Sequence, residues 1–62
     1  MWNGKNLTFL RVKDELTESE LAYIAGITTN NVKSYERGEK TPTKSEIRKF
    51  QKIFHVTEEC FK

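Results

Sequence analysis

Four polar side chains in the middle of the chain offer a compact hydrogen-bonding surface. They lie at positions i, i+1, i+4 and i+5 of one stretch, a spacing that gathers them on one face of an α-helix: Thr29, Asn30, Lys33 and Ser34. No apolar residue lies among them, and together they supply amide, hydroxyl and ammonium groups. Such a face has the donors and acceptors that read base edges when its helix enters a DNA groove.

Two short helices are needed to position that face. The stretch 16–38 predicts two helices joined by a tight turn at Gly26, because glycine commonly ends a helix with positive φ. Thr17 and Thr28 are suited to cap the two N-termini, and Thr17 with Glu20 fits a capping box. The spacing therefore predicts a helix-turn-helix at about residues 17–37.

Apolar periodicity predicts further helices on either side, and no strand signal is present. The first helix covers about residues 5–14, and a fourth begins at Thr43, which fits a second capping box with Glu46. The apolar residues that keep helical spacing are Leu21, Ile24 and Ala25 on the second helix and Ile47, Phe50, Ile53 and Phe54 on the fourth.

Thr57 is expected to cap a short fifth helix, residues 58–62, with two glutamates in its first turn. The predicted fold class is all-α: a compact five-helix bundle that forms one domain over residues 1–62. Cys60 is the only cysteine, so no disulfide can close a loop within the chain.

Basic charge is concentrated in one third of the chain. Residues 33–52 contain seven Lys or Arg against three Glu, a net charge of +4, whereas residues 1–32 and 53–62 each carry −1. A local excess of this kind attracts a polyanion such as nucleic acid. A solvated lysine-rich helix face is the alternative that charge alone leaves open.

The residues argue against an enzyme. His55 is the only histidine, no cysteines or paired carboxylates accompany it at metal-ligand spacing, and glycine-rich phosphate loops are missing. We therefore expect no catalytic residue, no metal and no cofactor. No apolar run approaches the ~20 residues that span a bilayer, and no signal-peptide core follows Met1. We expect a protein of the cytoplasm with no membrane contact.

Several short motifs, taken together with their spacing, resemble those of a known protein family. They are Leu7-x-x-Leu10-Arg11, Leu16-Thr17-x-x-Glu20-Leu21-Ala22, Gly26-Ile27-Thr28-x-x-x-Val32-x-x-Tyr35-Glu36-Arg37-Gly38, Pro42-Thr43, and the stripe that ends at Val56. Over about residues 6–60 the chain resembles the Cro/CI-type (XRE-like) helix-turn-helix family, the small DNA-binding domains of phage and bacterial repressors. The resemblance implies five helices, with the third in the major groove.

The resemblance also implies roles for individual residues on a double-stranded DNA operator. The base-reading positions are Thr29, Asn30, Lys33 and Ser34, and the phosphate-contacting positions are Thr17, Thr28, Arg37, Lys40, Thr41, Thr43 and Lys44. The chemistry agrees, since asparagine pairs bidentately with adenine and lysine reaches guanine or a phosphate. Arg11 and Glu36 match a pair that bridges the first and third helices, so a partly buried salt bridge is expected there.

Three departures from the family pattern keep a second reading open. Glu18 stands where many members carry glutamine, Glu39 where lysine is frequent, and Tyr23 where a charged residue is usual. We expect a sequence-specific transcriptional regulator in the bacterial host, a phage Cro-like repressor or genetic-switch protein that binds its operator as a homodimer or in complex with a partner repressor protein. The alternative is a helix-turn-helix protein that acts on a partner repressor, as a corepressor or antirepressor.

Overall fold

The computed structural model describes all residues from Met1 to Lys62 as an all-α domain. Its elements are α1 (Gly4–Lys13), α2 (Glu18–Ala25), α3 (Thr29–Arg37), α4 (Lys44–Phe54) and a terminal 3₁₀ turn (Glu58–Phe61). The all-α fold class is confirmed, but the count of five helices is wrong. Thr57 makes no side-chain cap, and the last turn closes through i→i+3 bonds because four residues are too few for an α-helical ladder.

Side-chain caps define the starts of all four α-helices, and at α1 Asn3 Oδ1 accepts the Lys5 N–H at 3.1 Å. The Thr17 and Thr43 hydroxyls accept the backbone N–H of Glu20 and Glu46, and each glutamate accepts the threonine N–H in return, so both predicted capping boxes are confirmed. Thr28 likewise accepts the N–H of residue 31 at the start of α3. Gly26 ends α2 at φ 71°, a conformation that costs other residues energy.

The end of α1 has an unexpected residue in the left-handed conformation. The Glu15 N–H donates to the Val12 carbonyl at 2.9 Å and the Leu16 N–H donates to the Arg11 carbonyl at 3.0 Å, which together form a Schellman motif. Glu15 therefore has φ 60° at a position where glycine is unstrained. The sequence gives no sign of this turn because glutamate is uncommon there.

The core is built from nine buried side chains and an aromatic cluster. The buried set is Leu7, Leu21, Ala22, Ala25, Val32, Tyr35, Phe50, Phe54 and Phe61. Trp2 stacks on Phe61 with ring centroids 5.3 Å apart, and its indole N–H donates to the Tyr35 carbonyl at 2.9 Å. Ile24, expected to follow the core stripe of α2, is instead 53% exposed because Leu21 and Ala25 already occupy the buried side.

Both chain ends are tied to the same side of the core. The Asn3 N–H donates to the Phe61 carbonyl at 2.7 Å, and the Asn6 side-chain amide donates to the Cys60 carbonyl, also at 2.7 Å. These bonds bring the N-terminal turn of α1 and the terminal 3₁₀ turn together. None of the helices is both long and apolar enough to span a bilayer.

Gly4 allows α1 to lie directly on the backbone of α3. A Cβ atom at this position would lie 2.6 Å from the Glu36 carbonyl oxygen and nearer still to that of Tyr35. Real Cβ atoms do not approach backbone oxygens so closely, so any side chain here would push the two helices apart. The contact fixes the C-terminal turn of α3 against the first turn of α1.

A hydrogen bond links α3 to the N-terminus of α4. The Tyr35 hydroxyl donates to Glu46 Oε1 at 2.8 Å, and the same oxygen accepts the Thr43 N–H at 2.9 Å. Burial first, and then the bond to Glu46, raises the pKa of Tyr35 to about 12, so this hydroxyl stays protonated at neutral pH. Burial pushes the pKa of Glu46 upward, but the bonds from Thr43 and Tyr35 and the charge of Lys49 outweigh it and hold the pKa below its ordinary value.

We expect Gly4→Ala to lower the free energy of unfolding by about 1–3 kcal/mol, because the added methyl overpacks the α1–α3 contact. Helix propensity alone predicts the opposite, a gain of about 1 kcal/mol for alanine inside a helix. Urea denaturation followed by circular dichroism distinguishes the two signs. Lys5→Ala, at an exposed position of the same turn, is the matched control and should change stability by less than about 0.5 kcal/mol.

We expect Glu46→Gln to flatten the acid limb of the stability curve. Since the folded-state pKa of Glu46 is depressed, its ionisation stabilises the fold at pH values above its ordinary pKa, and that contribution is lost as pH falls through the folded pKa. At pH 7 the variant should unfold about 1 kcal/mol more easily. Denaturation from pH 7 to pH 3 measures both effects, and identical curves for the two proteins would contradict the assigned role.

Candidate nucleic-acid interface

The face of α3 that points away from the core carries the four polar residues singled out above. Val32 and Tyr35 occupy the opposite, buried face, which orients the helix. Asn30 is exposed, and the other three residues of the face are partly exposed. The side chains of Asn30, Lys33 and Ser34 form no hydrogen bond within the protein, so their donors and acceptors are free.

Thr29 differs from the rest of this face because it has a neighbour on α2. Its hydroxyl lies 3.5 Å from the Ser19 hydroxyl, at the crossing of the two helices. The contact places the first turn of α3 against the first turn of α2. The two helices of the motif therefore present one continuous polar edge.

All seven residues expected to contact phosphates are exposed. Three of them, Thr17, Thr28 and Thr43, cap the N-termini of α2, α3 and α4, where free backbone N–H groups favour an anion. The other four lie at the end of α3, in the connection to α4 and in its first turn: Arg37, Lys40, Thr41 and Lys44. Lys40 Nζ donates to Asn31 Oδ1 at 3.4 Å, which draws it toward α3.

Arg11 and Glu36 form the partly buried salt bridge that the family resemblance implies, and both carboxylate oxygens take part in it. Arg11 Nε lies 2.6 Å from Glu36 Oε2, and Arg11 Nη2 donates to Glu36 Oε1 at 3.2 Å. The third nitrogen, Nη1, donates to the Leu16 carbonyl at 2.8 Å. The side chains are only 15% and 6% exposed, so the pair is largely shielded from solvent and salt.

The electrostatics of this pair also involve Glu18. The hydrogen bond to Glu36 raises the pKa of Arg11 against the opposing effect of burial, and the charges of Glu36 and then Glu18 raise it further. Glu18 therefore lies within the electrostatic reach of Arg11.

Sequence reasoning missed two groups that hold the helix-turn-helix in place. Lys49 Nζ donates to the Ala25 carbonyl at 3.3 Å, so a cation from α4 binds the C-terminal end of α2 beside Gly26. Trp2 bonds the Tyr35 carbonyl near the end of α3. No local signal marks either contact, since the partners are 24 and 33 residues apart in the chain.

Comparisons with known proteins agree with this arrangement. A family model described as helix-turn-helix matches residues 9–59. The fold is similar to that of the restriction-modification controller protein C.AhdI from Aeromonas hydrophila, with a TM-score of 0.84 and 24% sequence identity over 92% of this chain and 86% of that chain. No curated protein matches the sequence. With the motif geometry and a family match over most of its length, the chain belongs to the XRE-like helix-turn-helix family and is a DNA-binding regulator.

Proposed function

We propose that this protein is a sequence-specific transcriptional regulator that places α3 in the major groove of an operator. The observation that carries the proposal is the free polar face of α3, whose Asn30, Lys33 and Ser34 side chains have no partner within the protein. Three unpaired polar side chains on one helix face can hydrogen-bond to base edges. Thr29 completes the set, with its methyl group suited to contact with a thymine methyl.

Phosphate contacts would set the register of this helix on the duplex. Thr17, Thr28 and Thr43 lie at helix N-termini, which can bind phosphates. The basic residues from Arg37 to Lys44 add positive charge to the same set of phosphate-contacting positions. In this arrangement the Arg11–Glu36 pair does not touch DNA. It holds α3 at its angle to α1, so that the base-reading side chains reach the groove together.

The proposal also covers the kind of genetic switch in which the regulator acts and its assembly on DNA. We infer that the protein acts as a repressor in a switch of the phage Cro-like kind, as a homodimer on two half-sites about 34 Å apart. The similar fold of C.AhdI, described as a restriction-modification controller, suits a small regulator of neighbouring genes. A second candidate, action on a partner repressor, is favoured by one observation: Tyr23 is 88% exposed on α2.

A gel-shift titration tests the proposed function directly. The full chain is titrated against DNA from beside its own gene and against random DNA of equal length at moderate salt, with and without the product of the neighbouring regulator gene. Preference for one segment supports an operator-binding regulator. Equal affinity for every segment under both conditions would rule out the repressor function.

We expect Asn30→Ala to weaken operator binding by about 1–3 kcal/mol, because a bidentate contact to one base is lost. The loss should be confined to one base pair, so the variant should no longer distinguish operators substituted at that pair. Fluorescence anisotropy with a set of singly substituted operators gives the pattern. Asn31→Ala removes the same side chain one position along, off the polar face. Because Asn31 accepts a bond from Lys40, this control should at most weaken all operators alike, and it should leave the base preference unchanged.

We expect Lys40→Ala to weaken binding to all sequences alike and to reduce the slope of log K against log salt by about 1, because one phosphate contact is lost. Titrations at four salt concentrations on operator and random DNA measure the slope. Lys52→Ala is the charge-matched control, since this exposed lysine lies about 12 Å along α4 from Lys44. A change of base preference in Lys40→Ala would contradict its assignment to phosphate.

A further inference from the structure

The outer face of α2 carries an apolar groove that the fold does not use. Leu16, Ser19, Glu20, Tyr23 and Ile24 line a depression with a volume of about 340 Å³, here called the α2 groove. The Tyr23 side chain is 88% exposed and that of Ile24 is 53% exposed, whereas Leu21, Ala22 and Ala25 fill the core side of the same helix. A tyrosine and an isoleucine left in water beside each other are typical of a surface that is covered in a complex.

The surroundings of the groove are acidic. Asp14, Glu15, Glu18 and Glu20 lie within seven residues of the chain around Leu16, and no lysine or arginine lines the groove. The ion pairs of the structure join Arg11 to Glu36 and Lys62 to Glu59, so Asp14, Glu15 and Glu20 have no cationic partner. The groove therefore combines apolar contact area with unbalanced negative charge.

We propose that the α2 groove docks a segment of another protein that carries lysine or arginine beside an aliphatic or aromatic side chain. Charge complementarity selects this occupant. The cationic groups would pair with Glu20, which lines the groove, and with Glu15, which precedes the lining residue Leu16 in the chain, while the apolar side chain packs on Tyr23 and Ile24. A short amphipathic helix offers both groups at spacings of three and four residues.

Two other occupants fit less well. A second copy of this chain packed across a two-fold axis would bring the acidic rim of one groove against the acidic rim of the other. Five lining residues also fall far short of the roughly 800 Å² per partner that a stable dimer buries. DNA is disfavoured because phosphates are repelled by the same carboxylates and gain nothing from the apolar floor.

The groove lies beside the base-reading helix without belonging to it. Ser19, on its wall, is the residue whose hydroxyl lies 3.5 Å from that of Thr29 at the start of α3. A segment docked on the groove would lie close to the operator in the complex proposed above. The docking proposal itself does not depend on DNA binding, because every residue of the groove is accessible in the free protein.

Peptide selection on the full chain tests the chemistry of the occupant. A display library of random twelve-residue peptides is selected on immobilised protein, and the enriched peptides are synthesised and titrated by fluorescence anisotropy. Enrichment of peptides that combine Lys or Arg with Leu, Ile or Phe supports the proposal. Enrichment of acidic or uncharged peptides, or of no common composition, would overturn it.

Variants then locate the binding surface. Tyr23→Ser should weaken the selected peptides about tenfold or more, and Glu15→Gly should weaken them about two- to fivefold. Glu15→Gly removes the charge without harming the fold, since φ is already 60° there. Phe9→Ser removes an exposed aromatic side chain of α1, 65% exposed and outside the groove, and is the matched control. Peptides that bind Tyr23→Ser as well as they bind the parent protein would refute the site.

Two further measurements separate this proposal from the proposed function. Sedimentation of the parent protein and Tyr23→Ser measures self-association, and a dimer lost only in the variant would show a second copy as the occupant and overturn the proposal. Gel shifts with Tyr23→Ser should match the parent protein within about twofold, because Tyr23 is not among the residues assigned to base or phosphate contacts. A failed peptide test with intact operator binding would reject the docking surface alone.

Discussion

The guanidinium of Arg11 connects three parts of the chain, and the orientation of the base-reading helix depends on it. Its nitrogens bond the carboxylate of Glu36 on α3 and the carbonyl of Leu16 in the connection to α2. Because both side chains are largely buried, loss of either one would leave a charge without a partner in a poorly solvated place. The pair thus stabilises one arrangement of α1, α2 and α3 more than it stabilises the helices themselves.

Other contacts of α2 and α3 also fix the positions of these two helices in the domain. Gly4 sets the distance of α1 from the last turn of α3, and the Tyr35 hydroxyl joins α3 to the first turn of α4 through Glu46. Lys49 fixes the far end of α2. A domain of this size buries only about 60% of its unfolded surface and here contains no disulfide. Directional contacts between helices therefore matter more than they would in a larger core.

The features that could be predicted from the sequence are those whose interacting residues lie close together in the chain. Each N-cap hydroxyl bonds the backbone N–H three residues further along, at Thr17, Thr28 and Thr43. The caps and the helix starts could therefore be predicted from spacing alone. The polar face of α3 could be predicted in the same way, because its four residues lie within six positions of the chain. The Arg11–Glu36 pair, 25 residues apart, was accessible only through family resemblance.

Other features depend on the packed molecule and have no local signature. The role of Gly4 becomes clear only in the folded protein, where the carbonyls of α3 lie against it. The role of Trp2 likewise depends on its stacking on Phe61, at the other end of the chain. Ile24 obeys the period of the α2 stripe, yet the two residues beside it in that stripe fill the available interior and leave it in water. A periodic pattern shows which residues share a face, but the width of the neighbouring surface decides how many of them are buried.

The separation of charge along the chain explains how a small net charge can serve a DNA-binding domain. The net charge of +2 hides an excess of +4 over residues 33–52 and acidic residues clustered between Asp14 and Glu20. At physiological ionic strength the screening length is about 8 Å, so a phosphate responds to the charges nearest to it and not to the total. Glu18 lies within the electrostatic reach of Arg11, whereas Glu20, which lines the α2 groove, has no cationic partner. A carboxylate at that position repels phosphates, so it disfavours nucleic acid on the one apolar surface that α2 leaves exposed.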